Sequence, residues 1–220
     1  MGKIESGILG GFRGKVGTVV GYIQNGECII RMYRRTINAS RSIAALTVRS
    51  KFKMANDLIK PLAQLFKAGF SGTKNPSQWH PNALGAILKR ATEGIYPTVS
   101  INFEKVAFSD GPGTQLTGFA GSVTPNTREV TLNWDSENDY PDNAQNDNLV
   151  VIALNTSSKK YWSQVLPEKR SIKTSSLLLP EFLGTGTIHL FAYTISPTID
   201  SKLGKYRISP SVCGGTITLA

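Results

Sequence analysis

The residues best placed to do chemistry are cations. Arg31, Arg34, Arg35, Arg49, Lys53 and Lys60 lie within thirty positions of one another. Guanidinium and ammonium groups at this density suit phosphate or carboxylate partners. The surrounding charge is uneven. Residues 1–96 hold 15 Lys+Arg against 4 Asp+Glu, and residues 97–220 hold 10 against 11. The whole excess of the +10 chain therefore sits in its first part. Such an excess suits nucleic acid, an acidic protein surface or anionic lipid. The plainer reading is solubility, together with contact to an acidic loop further along the chain.

Other reactive residue types lack a working spacing. The run at 7–21, GILGGFRGKVGTVVG, is rich in glycine and contains Lys15, as a phosphate loop would. A Walker loop needs four residues between its glycines and Ser or Thr after the lysine. Here three residues separate Gly10 from Gly14, and Val16 follows Lys15. Residues 135–147 carry five carboxylates in thirteen positions, which suits an oxygen-ligated Ca²⁺. The EF-hand glycine and glutamate are replaced by Tyr140 and Asn146. A solvated loop is the simpler reading. His80 precedes a proline in a loop, and His189 shares a strand face with Phe191 and Tyr193. Neither stands in a catalytic pattern. The sequence therefore predicts no catalytic residue, no cofactor, no metal site and no enzyme activity.

The elements that must carry these groups can be read from periodicity. Alternation on both sides of Asn25-Gly26 predicts a hairpin over 16–23 and 27–35, since a type I′ turn needs positive φ at both central positions. Val16, Thr18, Val20 and Tyr22 would face one way, with Gly17, Val19, Gly21 and Ile23 opposite. Glycines at 17 and 21 imply that a helix or a second chain packs closely over them. Val48, Phe52, Ala55, Ile59, Leu62 and Phe66 recur at helical spacing, after a cap at Ser40 or Ser42. Arg49, Lys53, Lys60 and Lys67 form a second stripe within about 40°. Pro61 predicts a break, Gly69 a C-terminal cap, and residues 82–93 a further helix.

From residue 98 the texture becomes short strands separated by turns. The apolar run at 149–154 reads as a central strand buried on both faces. About eight such strands indicate an immunoglobulin- or fibronectin-like β-sandwich. The expected fold is thus α+β and mainly β. A glycine-rich hairpin with helices fills 1–96, and a sandwich fills 97–220. The start MGKIE offers no signal peptide, and no stretch reads as a membrane span. With two cysteines far apart, Cys28 and Cys213, a reduced compartment is expected: the cytoplasm, or release inside a particle.

The run at 7–21 resembles the N-terminus of a family of uncharacterised proteins from Bacteroidetes bacteria, with the pattern GILGGF-x-GKVG-x-VVG. Residues 51–58 (KFKMANDL) are similar to that family's helix. Residues 147–155, 177–180 and 188–191 are similar to its C-terminal half. Where an aromatic often follows the first hairpin strand, this chain has Gln24-Asn25-Gly26. The resemblance implies no activity and no site residue.

These readings lead to a non-enzymatic structural or protein-interaction protein, in a phage-like or other large assembly, with a protein partner or self-association. The alternative is nucleic-acid binding through the six cations named above. A weaker third reading gives Ca²⁺ or carbohydrate to the sandwich loops.

Overall fold

The computed structural model describes residues 2–4, 12–33, 42–71, 76–124, 127–135, 141–200 and 204–219. The chain forms two compact units, Met1–Arg41 and Ser42–Ala220.

The first unit is one antiparallel sheet. Its strands β1 (Gly2–Ile4), β2 (Gly14–Val16), β3 (Val19–Gln24) and β4 (Glu27–Met32) run in the order β1-β4-β3-β2. Asn25 and Gly26 have φ of 53° and 83°. Both are positive, as a type I′ turn demands, and the turn pairs Gln24 with Glu27 and Tyr22 with Ile29. The expected strand over 16–23 is interrupted. Gly17 has φ 58°, and it turns the chain with Thr18 so that Val16 pairs with Val19. The side chain of Val16 therefore shares a face with Val19, not with Val20. Gly17 is needed for its φ, since no atom lies within 4 Å of the place a Cβ would take. Gly21 is needed for space: the ring and carbonyl of Phe12 stand where its Cβ would be. The cover over Gly21 is therefore the unit's own Phe12, and neither helix nor second chain is required.

The second unit begins with helices. Ser42 Oγ accepts a hydrogen bond from the Ala45 amide at 3.3 Å and caps α1 (Ile43–Ile59). The helix stops before Pro61, and α2 (Ala63–Gly69) and α3 (Trp79–Arg90) follow. Gly69 does not act as a left-handed cap. It lies inside α2, because the Phe108 carbonyl fills the space of a Cβ. The strands β5 (Thr92–Glu93) and β6 (Ser100–Ile101) pair as a short ribbon.

Two larger sheets complete the unit. The strands β7 (Thr117–Val123), β8 (Glu129–Asp135) and β11 (Thr174–Leu178) form the sheet β11-β8-β7. The others are β9 (Asn148–Asn155), β10 (Lys160–Lys169), β12 (Gly186–Asp200), β13 (Lys205–Ile208) and β14 (Val212–Leu219). They form a five-stranded sheet in the order β10-β9-β12-β13, with β14 also on β12. Leu132, Trp134 and Leu177 of the smaller sheet share one apolar cluster with Leu149, Val151, Ala153 and Leu190 of the larger. The arrangement fits the sandwich expected from the strand spacing.

The other face of the larger sheet is covered too. Val150, Ile152, Leu154, Phe191 and Tyr193 share a second cluster with Ala55, Ile59, Leu62, Phe66, Leu84 and Ile87 of the helices. Phe108 links the two layers, 5.0 Å from the Phe66 ring and 4.7 Å from Phe191. The helices and the larger sheet thus share one core on either side of the boundary expected at 96/97, and the compact units meet at 41/42. Only the C-terminal half of α1 joins this core. Val48 and Phe52, expected on the buried stripe, are 65% and 48% exposed.

A fragment of residues 42–220 should unfold cooperatively by circular dichroism, and a fragment of residues 97–220 should not. A cooperative melt of the shorter fragment would support the boundary at 96/97. Ile152→Ala, in a fully buried position, should lower unfolding free energy by about 2–5 kcal/mol in a denaturant titration.

Candidate functional site

The six cations picked out from the sequence do not form one cluster within either unit. Arg31 lies on β4 of the first unit, and Arg49, Lys53 and Lys60 belong to the second, near or on α1. Arg34 and Arg35 lie outside the described residues. Arg49 and Lys53 are exposed along α1. Lys60 Nζ sits 3.4 Å from Asp57 Oδ1, with both side chains largely in solvent, so the pair contributes little to stability. Other cations of this unit also have acidic neighbours. Arg90 Nη2 is 3.8 Å from Asp110 Oδ1, and Lys105 Nζ is 2.7 Å from Glu93 Oε1. Hydrogen bonds from Lys105 and Asn102 hold the Glu93 carboxyl below its ordinary range. On the stripe itself, Arg49 and Lys53 are exposed and Lys60 has Asp57 beside it.

The sheet of the first unit is organised differently, because pairing assigns its side chains to two faces. Opposite residues share a face and alternate residues swap it. Gly14, Val16, Val19, Gly21, Ile23, Cys28, Ile30 and Met32 share one face. Every one is apolar or glycine, and Phe12 lies over Gly21 on that side. Val16 is 63% and Met32 78% exposed. The other face carries Lys15, Val20, Tyr22, Gln24, Glu27, Ile29 and Arg31. Tyr33 extends it, donating its amide to the Thr18 carbonyl at 2.7 Å. Lys15 Nζ lies 3.9 Å from the centroid of the Tyr33 ring, and Arg31 Cζ lies 5.6 Å from that of Tyr22. Both are cation–π contacts. Of these four, the sequence marks only Arg31 as a candidate contact residue; Lys15 is read there as part of a glycine-rich run and Tyr22 as a strand residue. The Asn25-Gly26 turn fixes the register of Tyr22 against Ile29, so part of this face was readable. Lys15 joins it only through the turn at Gly17 and Thr18, which carries no strong turn signature.

The buried polar groups of the second unit are anchors. Asp147, at the end of the acidic stretch, does not lie in an open loop. Its carboxylate sits 3.4 Å from Arg207 Nη2 and accepts from Thr194 Oγ1 at 3.4 Å. Burial pushes its pKa up, against the opposing charges of Arg207 and Arg170. Arg170, fully buried, donates to the carbonyls of Thr114 and Gln115 at 2.8 and 2.7 Å. Its own carbonyl accepts from Trp134 Nε1 at 2.7 Å. A pocket of 290 Å³ opens beside Asp147, Ser196, Asp200 and Arg207. Residues 136–140 of the acidic stretch lie outside the described residues. Among the described residues, no group of three or more His, Cys, Asp or Glu could hold a metal ion.

His189 stacks on Phe103 at 5.4 Å between centroids, and burial lowers its pKa against the opposing pull of Glu104. His80 meets the edge of Trp79 at 5.4 Å. Both rings pack against aromatics. Cys28 and Cys213 are free thiols, and burial raises the pKa of Cys213. An apolar cleft of 260 Å³ lies at the Pro61 break, between Met54, Leu58, Ile101, Phe103 and Leu154. Asn155 at its rim is committed to the fold, donating to the Leu183 and Thr185 carbonyls at 2.9 Å each. Among the described residues, no helix is long and apolar enough to cross a membrane.

Fold and site together define a mainly β, α+β protein with an N-terminal two-faced sheet. The chain belongs to the group described as "Family of unknown function (DUF6266)", whose model matches residues 11–200. No curated protein and no solved structure matches it.

The buried Tyr193 gives the core a pH signature. Burial pushes its pKa from 10.0 to about 12. The folded state thus favours the neutral phenol. This contribution is fully present below pH 10 and is lost as pH rises through about 12. At about 1.4 kcal/mol per pH unit, the loss should reach about 3 kcal/mol. In chemical denaturation at several pH values, the gap between the native protein and Tyr193→Phe should stay constant below pH 10. Above it the native protein should lose ground. A constant gap up to pH 12 would place that hydroxyl in contact with water.

Proposed function

We propose that this protein is a non-enzymatic structural or interaction component of a large assembly, phage-like in kind, which it joins through its N-terminal sheet. The observation that carries this reading is the apolar face of that sheet, with Val16, Ile23 and Met32 exposed on it. An apolar face of this kind favours association when a complementary surface is offered. A second copy offers one by symmetry, because an isologous contact needs only a self-complementary patch. Face-to-face packing is favoured over strand addition, because the edge strands β1 and β2 are three residues long. The buried ion pair Asp147–Arg207 and the ring-packed histidines fit scaffold roles and support the non-enzymatic part. The phage-like setting rests on analogy of fold alone, a Bacteroidetes source on the sequence resemblance, and a place in the cytoplasm or inside a particle on the cysteine usage.

The alternative, nucleic-acid binding through Arg31, Arg34, Arg35, Arg49, Lys53 and Lys60, has less support. The Lys60 charge faces Asp57, and Arg31 belongs to one unit while Arg49, Lys53 and Lys60 belong to the other.

Light scattering coupled to size-exclusion chromatography tests the proposal. The full chain should run above its monomer mass of 23.9 kDa as concentration rises. Met32→Glu and Val16→Glu should each return it to a monomer with an unchanged circular dichroism spectrum. A strict monomer at the highest concentration reached would overturn self-association through this face.

A further inference from the structure

The opposite face of the N-terminal sheet shows what else this unit can bind. It displays Lys15, Tyr22, Arg31 and Tyr33 over a floor of Val20 and Ile29, with Gln24 and Glu27 at the hairpin end. Residues 1–41 as a whole hold seven Lys+Arg against two Asp+Glu. We infer that this face is a binding platform for single-stranded nucleic acid, in which Tyr33 and Tyr22 stack on bases while Lys15 and Arg31 contact phosphates.

Three observations converge on that ligand. The cations and rings come in pairs, Lys15 with Tyr33 and Arg31 with Tyr22. Each cation lies over one face of its ring, so a base that stacks on the opposite face, or displaces the cation, sits next to a phosphate-seeking charge. The spacing is suitable: Ile29, opposite Tyr22, lies four positions before Tyr33 on the same chain, about 13 Å along the strand at about 3.3 Å per residue. That leaves room for more than one nucleotide between the rings. Finally, Tyr33 is 42% exposed, so a base can reach it.

The chemistry also separates this ligand from its competitors. A duplex hides its base faces, so it would engage the cations and leave the tyrosines without a role. An acidic peptide would do the same. Only a strand with accessible base faces uses both parts of each pair. The platform lies on the face opposite the apolar one, so it does not depend on self-association. A strand could be held while the apolar face is occupied.

Fluorescence anisotropy with the full-length chain tests this. The probes are labelled oligo-dT and oligo-U, a duplex of equal length, and heparin and poly-glutamate as polyanions without bases. Binding to the single strands should exceed binding to the duplex and should weaken steeply between about 50 and 200 mM salt. Tyr33→Ala and Tyr22→Ala should each weaken single-strand binding about five- to a hundredfold and leave heparin binding unchanged. Tyr33→Phe keeps the ring and should bind as the native protein does. Lys15→Gln and Arg31→Gln should flatten the salt dependence. Circular dichroism melts of each variant exclude unfolding as the cause of a loss. No single-strand binding at low salt would overturn the inference. So would duplex or poly-glutamate binding as tight as that of oligo-dT, or tyrosine variants that bind like the native protein.

Discussion

Every residue of β9 after the first is buried, and they are buried on two sides. Leu149, Val151 and Ala153 point into the cluster shared with the smaller sheet. Val150, Ile152 and Leu154 point into the cluster shared with the helices. The strand alternates by two, so one extended segment serves two cores at once. β12 repeats the arrangement beside it, with Ile188, Leu190 and Ala192 on one side and Phe191 and Tyr193 on the other. A shift of one residue in their pairing would exchange the two sets of side chains. The helices, the central sheet and the outer sheet are therefore coupled through a single register.

This coupling joins the residues on either side of position 96 in one core. Apolar residues of the helices, among them Ile59, Phe66 and Ile87, share their cluster with Ile152 and Phe191 of the sheet. Phe66, Phe108 and Phe191 form the link in space. The polar interior serves the same end. Arg170 holds the carbonyls of Thr114 and Gln115, and Asp147, just before β9, joins Arg207 on β13 across β12. Burying such charges is tolerable only because each finds partners. What remains chemically adaptable lies in the first unit, where small size leaves both faces of a sheet near water.

The first unit gains its two-sided character from turns. Asn25-Gly26 sets β3 against β4, and Gly17-Thr18 sets β2 against β3. Together they sort the residues of these strands into an apolar face and a face that carries the cations and tyrosines. The glycine-rich run at 7–21, whose composition suggested a phosphate loop, is in its described part strand and turn. Its Lys15 is a side chain on a sheet, and among its described glycines Gly17 serves a turn and Gly21 one close approach by Phe12.

Much of this was legible in the sequence because it is local. Two-residue alternation marked the sandwich strands, Asn25-Gly26 marked the hairpin and its register, and Pro61 marked the end of α1. The charge imbalance of the first part was visible as a count. Other features depend on residues distant in the chain. Val48 and Phe52 have the same helical spacing as Ala55 and Ile59, yet only the latter pair meets the sheet. An apolar stripe states that a face can be buried, but the length of the opposing layer decides how much of it is. For the same reason a change of texture at 96/97 carries no information about the core that residues on either side of it share. Asp147 looked like one carboxylate of an open acidic loop until Arg207, sixty residues later, was brought beside it. Lys15 and Tyr33 became neighbours only when a turn at Gly17 folded one strand against the next. Local periodicity thus determined the elements, and long-range packing decided which of their faces meet protein and which meet solvent.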